Sequence, residues 1–157
     1  MTLRTIRTVG DPILRSRTSP VDPSQLNTRE LAVLIRDMTD TLLDEKGLGL
    51  AATQVGSRLR IAIINGQDGP YAVINPRIVK RSIRTETDEE GCLSVPGVYG
   101  LVRRARSVTV TYLAVDGTAH REKVSGLLAR VFQHEIDHLD GILFTDRTKK
   151  ITKGTLL

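Results

Sequence analysis

The chain has 157 residues, of which 39% are hydrophobic and 3% aromatic, with one cysteine and a formal net charge of +5 from 23 basic and 18 acidic side chains. That is the length of one domain with a sizeable core, and it leaves no room for two. A lone cysteine excludes an internal disulfide and fits a reducing, cytoplasmic compartment. No run approaches a membrane span, and the scarcity of aromatics without a nucleic-acid motif argues against a dedicated nucleic-acid binder or specific DNA recognition.

The N-terminus, M-T-L-R-T-I-R-T-V-G, has the Arg and Thr content of a transit peptide but runs straight into G-D-P-I-L-R, so it is read as part of the domain. Asn27 with Glu30 three residues later predicts a helix start, and Leu31, Ile35, Met38 and Leu42 recur at helical spacing up to Gly47, a candidate C-cap. Leu59 to Asn65 and Tyr71 to Asn75 read as strands. Val108 to Val115 followed by Asp116-Gly117 reads as a hairpin whose return strand carries His120 in the exposed run T-A-H-R-E-K. A last helix is expected between Ser125 as cap and Gly141 as stop. After Asp146 come Arg147, Lys149, Lys150 and Lys153 with no acid, which predicts a catalytic domain over 1–147 and a short basic tail over 148–157. That tail is either solvated or in contact with a polyanion such as ribosomal RNA. A strand-rich middle followed by a helix points to an α+β domain.

The chemistry concentrates in H-E-I-D-H, His134 to His138. Residues four apart on a helix lie one turn above each other, so the two imidazoles can share a divalent metal with Glu135 beside them as proton carrier. At about 100° per residue, Leu127, Val131, His134 and His138 fall within roughly 60° on one face, which is expected to point inward. A catalytic site of this type needs a third protein ligand and an open position. Position 144 is Phe144, not histidine, and no glutamate follows Glu135, so the third ligand comes from upstream. Cys92, His120 and scattered carboxylates are the candidates, and a thiolate is the strongest donor among them for a borderline metal.

Three segments, G-L-G-L-A-A-T-Q (Gly47 to Gln54), E-G-C-L-S (Glu90 to Ser94) and Q-H-E-I-D-H-L-D-G (Gln133 to Gly141), resemble the signature motifs of the peptide deformylase family in order and separation. The resemblance implies antiparallel or mixed sheets packed around a central metal-binding helix, with Cys92, His134 and His138 as ligands. It further implies Glu135 as general base, and the Gln54 side-chain amide and Leu93 backbone N–H as oxyanion donors. The implied reaction removes the formyl group from the N-terminal formyl-methionine of nascent peptides. Fe(II) is the favoured metal, and the Cys-His-His donor set also suits Zn(II), Ni(II) or Co(II). The peptide would add as a strand along Leu48, Gly49 and Leu50 and near Gly91, with its methionine in a pocket built from Leu48, Leu127 and Val131. Arg130, about 40° from His134 around the helix, departs from the apolar residue of several family members and is expected at the pocket rim or against substrate backbone. Glu90 is expected to pair with Arg104 behind the metal ligands.

Other readings of the same residues are a zinc endopeptidase, a deformylase-like paralogue acting on another N-formyl compound, and a non-catalytic module with a closed four-ligand site. The endopeptidase requires a long cleft. The closed site requires His120 as fourth ligand.

Overall fold

The computed structural model describes residues 2–156. Its main elements are α1 (Arg29–Asp44), β1 (Gly49–Ala51), β2 (Ile61–Gly66), β3 (Gly69–Arg81), β4 (Thr85–Cys92), β5 (Val95–Ala105), β6 (Ser107–Leu113), β7 (Ala119–Ser125), α2 (Gly126–Leu139) and β8 (Lys150–Lys153). They form an α+β domain with two antiparallel sheets, ordered β1-β2-β3-β6-β7 and β4-β5-β8. Among the described residues no helix is long and apolar enough to cross a membrane.

Strand β2 shows why the helices lie where they do. Successive side chains point to opposite faces of a sheet, so Ile61 and Ile63 join Leu31, Met38 and Leu42 of α1 on one side, while Ala62 and Ile64 join Phe132, Ile136 and Leu139 of α2 on the other. The larger sheet is therefore apolar on both faces. A third cluster, with Leu14, Val98, Val102, Leu143 and Phe144, closes the smaller sheet. Helix α2 contacts strands of both sheets, which accounts for the burial of residues 129–133 and 135–139.

Several ends differ from the sequence reading. Helix α1 is capped by Thr28, whose hydroxyl accepts the Leu31 N–H at 3.3 Å, one residue after the expected Asn27. At its C-terminus the left-handed residue is Lys46 (φ 53°), and the Lys46 and Gly47 N–H groups bond the Leu43 and Leu42 carbonyls at 3.2 and 3.0 Å. Gly47 thus lies one place beyond the cap, where a Cβ would meet Leu42 Cδ1 at 2.6 Å. Ser125 precedes α2 without a side-chain cap bond, and the Gly126 N–H bonds the Arg106 carbonyl at 3.0 Å. Gly141 ends α2 as expected, at φ 77°.

The boundary at Arg147 also moves. Lys150–Lys153 pairs with β5 through Lys150↔Leu101, Ile151↔Gly100 and Lys153↔Tyr99, and the Thr148 hydroxyl donates to the Leu101 carbonyl at 2.9 Å. The segment expected as a separate tail is the third strand of the smaller sheet. The edge of β5 supplies backbone partners that its charge pattern did not reveal.

Gly141 and Gly126 separate two costs of a side chain at positive φ. At Gly126 (φ 62°) a Cβ meets nothing within 4 Å, whereas at Gly141 it would lie 2.6 Å from the Arg15 carbonyl oxygen. Gly126→Ala is expected to cost about 1 kcal/mol from conformation alone. Gly141→Ala should cost roughly 3 kcal/mol, because backbone must also move. Urea unfolding checks both, and equal losses would show that the Arg15 contact yields freely.

Candidate active site

A cleft of about 550 Å³ runs between α2, the edge strand β1 and the β4–β5 hairpin. Cys92 sits where that hairpin turns, paired with Val95, and its sulfur lies 3.2 Å from His138 Nε2. Ligand atoms of Cys92, His134 and His138 all lie within 4.8 Å of one another. His120 is elsewhere, exposed on β7 and stacked on Tyr112 at 5.0 Å between ring centroids. The fold thus brings together one thiol and two imidazoles, a three-donor set that suits a borderline divalent ion and leaves a coordination position open.

The electrostatics fit a cation at this point. His138 is 1% exposed, and burial, then the neighbouring His134, holds its pKa well below the ordinary value, so it stays the neutral imidazole a ligand must be. Burial also opposes charge on His134, but hydrogen bonding to Cys92 and Glu90 outweighs it and raises its pKa well above normal. Glu90 and Cys92 thus favour positive charge on His134, at a spot where a metal would compete with the proton.

Behind His134 lies a buried charge network. His134 Nδ1 is 3.0 Å from Glu90 Oε2, which directs Nε2 toward the cleft. Glu90 also receives Arg104 Nε at 2.8 Å, Arg104 Nη2 at 3.0 Å and Arg130 Nη1 at 2.9 Å. Burial alone would push the Glu90 carboxyl up, yet the bonds from His134 and Arg104 hold it well below the usual carboxylate range. Arg104 reaches on to Asp137, which also takes Arg147.

Arg130 differs from its expected place at the rim. It is 8% exposed, and its guanidinium turns inward to Glu90 and to the Val102 and Glu86 carbonyls at 2.9 and 3.0 Å. A stable guanidinium this deep needs several acceptors, and the hairpin supplies them. Arg130 still lines the cleft, but as a strut between α2 and β4–β5.

Glu135 points into the cleft from α2. It is 4% exposed, its Oε2 has no hydrogen-bond partner among the described residues, and burial raises its carboxyl to about 7. A dication nearby would act in the opposite direction. Gly49 packs against this carboxylate, and a Cβ there would collide with Glu135 Oε1 and lie 2.7 Å from its Cγ. The backbone at Gly49 thus approaches Glu135 where a side chain would not fit. Gly91 likewise accommodates the Tyr99 ring. Gln54 is 2% exposed and oriented at both ends: Oε1 accepts from the Ala51 N–H at 2.8 Å, while Nε2 donates to Ser94 Oγ at 3.1 Å and lies 3.6 Å from Cys92 Sγ. Leu93 lines the cleft beside Cys92.

Of the expected substrate contacts, Leu48, Gly49, Gly91, Leu127 and Val131 line the cleft. Leu48 and Leu127 are 50% and 62% exposed, so the α2 stripe does not point inward along its whole length and Leu127 stands at the rim. The Leu50 side chain is buried against α1, which leaves only its backbone for a ligand. Strand β1 is hydrogen-bonded to β2 on one side and forms the open edge of its sheet on the other. Sequence reasoning missed Ser94, Asp137 and the cleft wall of Val95, Val98 and Tyr99. The aspartate inside H-E-I-D-H was the available signal for Asp137.

Comparison with known proteins agrees with this geometry. The sequence model of the Polypeptide deformylase family matches residues 3–154. The peptide deformylase of Dictyoglomus thermophilum is 46% identical over 153 residues, covering 98% of this chain and 97% of the relative, and that of Thermomicrobium roseum is 48% identical, covering 94% and 86%. The crystal structure of peptide deformylase from Thermotoga maritima superposes with a TM-score of 0.90 at 40% identity, covering 95% and 99%. A class I type b peptide deformylase from Acinetobacter baumannii, solved with Met-Ala-Ser bound, gives 0.89 at 36% identity, covering 93% and 98%. The chain belongs to the polypeptide deformylase family, metal-dependent hydrolases that remove the formyl group from the N-terminus of nascent polypeptides.

Proposed function

We propose that Cys92, His134 and His138 hold one divalent ion, Fe(II) in the cell, and that Glu135, Gln54 and the Leu93 N–H carry out deformylation around it. The convergence of one thiol and two imidazoles within 4.8 Å, next to an unpaired buried carboxylate, carries this reading. When bound, the ion supplies Lewis acidity that makes water a nucleophile near neutral pH. Glu135 takes the proton of the attacking water and passes it to the amine as the formyl C–N bond breaks, releasing formate. The Gln54 amide, already oriented by Ala51 and Ser94, and the Leu93 N–H donate to the developing oxyanion. Glu90 with Arg104 keeps His134 in one orientation and one tautomer.

The peptide binds by adding a strand to the open edge of β1, with main-chain bonds at Leu48 to Leu50 and at Gly91, and its methionine against Leu48, Leu127 and Val131. Met-Ala-Ser, held by the Acinetobacter baumannii relative, is the type of peptide that deformylation leaves. Catalysis takes place in the cytoplasm. A contact with the ribosome through Lys149, Lys150 and Lys153 goes with this reading, since β8 carries the last two on a strand paired with β5 and Lys149 immediately precedes it.

Anaerobic purification, metal analysis and an assay for formate test these assignments together. Cys92→Ala should lose both metal and activity, and stoichiometric metal in a folded preparation of that variant would remove Cys92 from the ligand set. Glu135→Gln should keep its metal while turnover falls about 100-fold or more. Wild-type turnover would place the base elsewhere. Formyl-Met-Ala peptides should release formate much faster than acetyl counterparts release acetate, with no internal cleavage. Comparable rates, or internal fragments by mass spectrometry, favour an endopeptidase.

A further inference from the structure

Two depressions lie along the side of α2 that carries Gln133, Ile136, Asp137 and Asp140, and neither shares a lining residue with the catalytic cleft. The first, of about 320 Å³, is lined by Arg81, Arg103, Arg104 and Arg147 with a single acid, Asp137. The second, of about 450 Å³, is lined by Arg17, Arg60, Arg77 and again Arg81, with Asp140 as its single acid. Both acids are already engaged. Asp137 pairs with Arg104 and Arg147, and Asp140 pairs with Arg60 at 2.8 Å and more loosely with Arg17 at 3.9 Å. Arg77, Arg81 and Arg103 are exposed and make no ion pair among the described residues, and the one side-chain bond of Arg103 goes to the Thr85 hydroxyl.

Arg81 is placed by a defect in the sheet. The β3–β6 register shifts between Ile78 and Lys80, so that Arg81 lies opposite Val108 and Ile78 opposite Val110, two buried residues of the α2-facing core. Without the shift, residues 78 and 81 would face opposite sides of the sheet. The bulge re-aims an unpaired arginine to the sheet face that packs α2, where it joins the two depressions. Along β4 the charge has the other sign, with Glu86, Asp88 and Glu89 exposed, and at the mouth of the cleft Glu45 and Glu89 stand with Lys46.

We propose that this arginine face binds the phosphate backbone of duplex RNA without reading its sequence, leaving the cleft turned away. Concave surfaces carrying forked guanidinium donors suit phosphate oxygens that project from a helix. No aromatic side chain lines either depression, and single-strand binders need such platforms for base stacking, so recognition of a helical backbone is favoured. A partner of this kind accompanies the substrate, because a nascent polypeptide is still borne by a ribonucleoprotein. Arg147 lines the first depression, but no residue of β8 lines either one, and Lys153 lies over the Tyr99 ring at the cleft, so the basic residues of that strand belong to a different surface.

The test uses the metal-loaded protein and a fluorescently labelled RNA hairpin, followed by anisotropy between 50 and 200 mM KCl. Wild type is expected to bind with steep salt dependence. The Arg77→Ala, Arg81→Ala, Arg103→Ala triple variant should bind at least ~30-fold more weakly, with a log–log salt slope lower by about 2 to 3. Its formate release from formyl-Met peptides should match wild type, since none of the three touches the cleft. The corresponding triple arginine-to-lysine variant should recover most of the binding, which excludes misfolding as the cause. Alanines at Lys149, Lys150 and Lys153 should change affinity by less than ~3-fold. Undiminished binding by the arginine triple variant overturns the proposal, as does loss confined to the lysine variant, absence of RNA binding by wild type, or tighter binding to polyglutamate or to phosphatidylglycerol vesicles than to the hairpin.

Discussion

One buried carboxylate organises this molecule. Glu90 comes from β4, Arg104 from β5, and Arg130 and His134 from successive turns of α2, and all meet within hydrogen-bond distance. The smaller sheet and the central helix are therefore joined by charge-assisted bonds at the place where the catalytic cleft begins. Apolar packing alone would let the hairpin slide over α2. A four-way ionic contact with fixed bond directions does not.

Such a network stabilises little in net terms, because desolvating each ion costs several kcal/mol before pairing offsets it. Its effect lies in what is lost when one member is missing, since the remaining charges stay buried without a counterpart, typically at a cost of about 3–5 kcal/mol. Asp137 extends the balance by taking Arg104 and Arg147, so two arginines and two acids are interleaved behind the ligands before Arg130 adds its own charge. Gly49 plays the matching part on the opposite wall, where the absence of a side chain lets β1 approach Glu135. Alignment of a carboxylate and an imidazole thus follows from the bonds behind His134 and the close packing at Gly49.

The readable parts of this arrangement were those set by local periodicity. The helical spacing of His134 and His138, the apolar run of β2 and the Asp116-Gly117 turn are each encoded within a few neighbouring residues, and they appear where expected. The hairpin that brings Cys92 to the histidines was not legible by pattern. Five of the eight residues of β4 are exposed and most are charged or hydroxylated, so the strand exists through its pairing with β5 and its single inward residue Glu90. A helical wheel gave the direction of Arg130 but not the acceptors that draw it inward. Lys46 in the left-handed position could not be foreseen because glycine stood next to it, and β8 was hidden by its lysines. The approach of Cys92 to the two histidines followed from elimination and motif rather than pattern, because a long-range pairing leaves no mark in local sequence.

The distribution of the site along the chain has a consequence for the order in which this protein is made. Gln54 and Gly49 emerge early, Cys92 midway, and the helix with both histidines close to the end, while the Arg7 and Val9 N–H groups bond the Gln54 and Ser94 carbonyls and so tie the first residues to both loops. Few of these contacts are local, and closing such long intervals is the slow part of folding. A partly synthesised copy therefore carries Gly49 and Gln54 without the carboxylate and imidazole that share their cleft, and that cleft is completed only when α2 has been made.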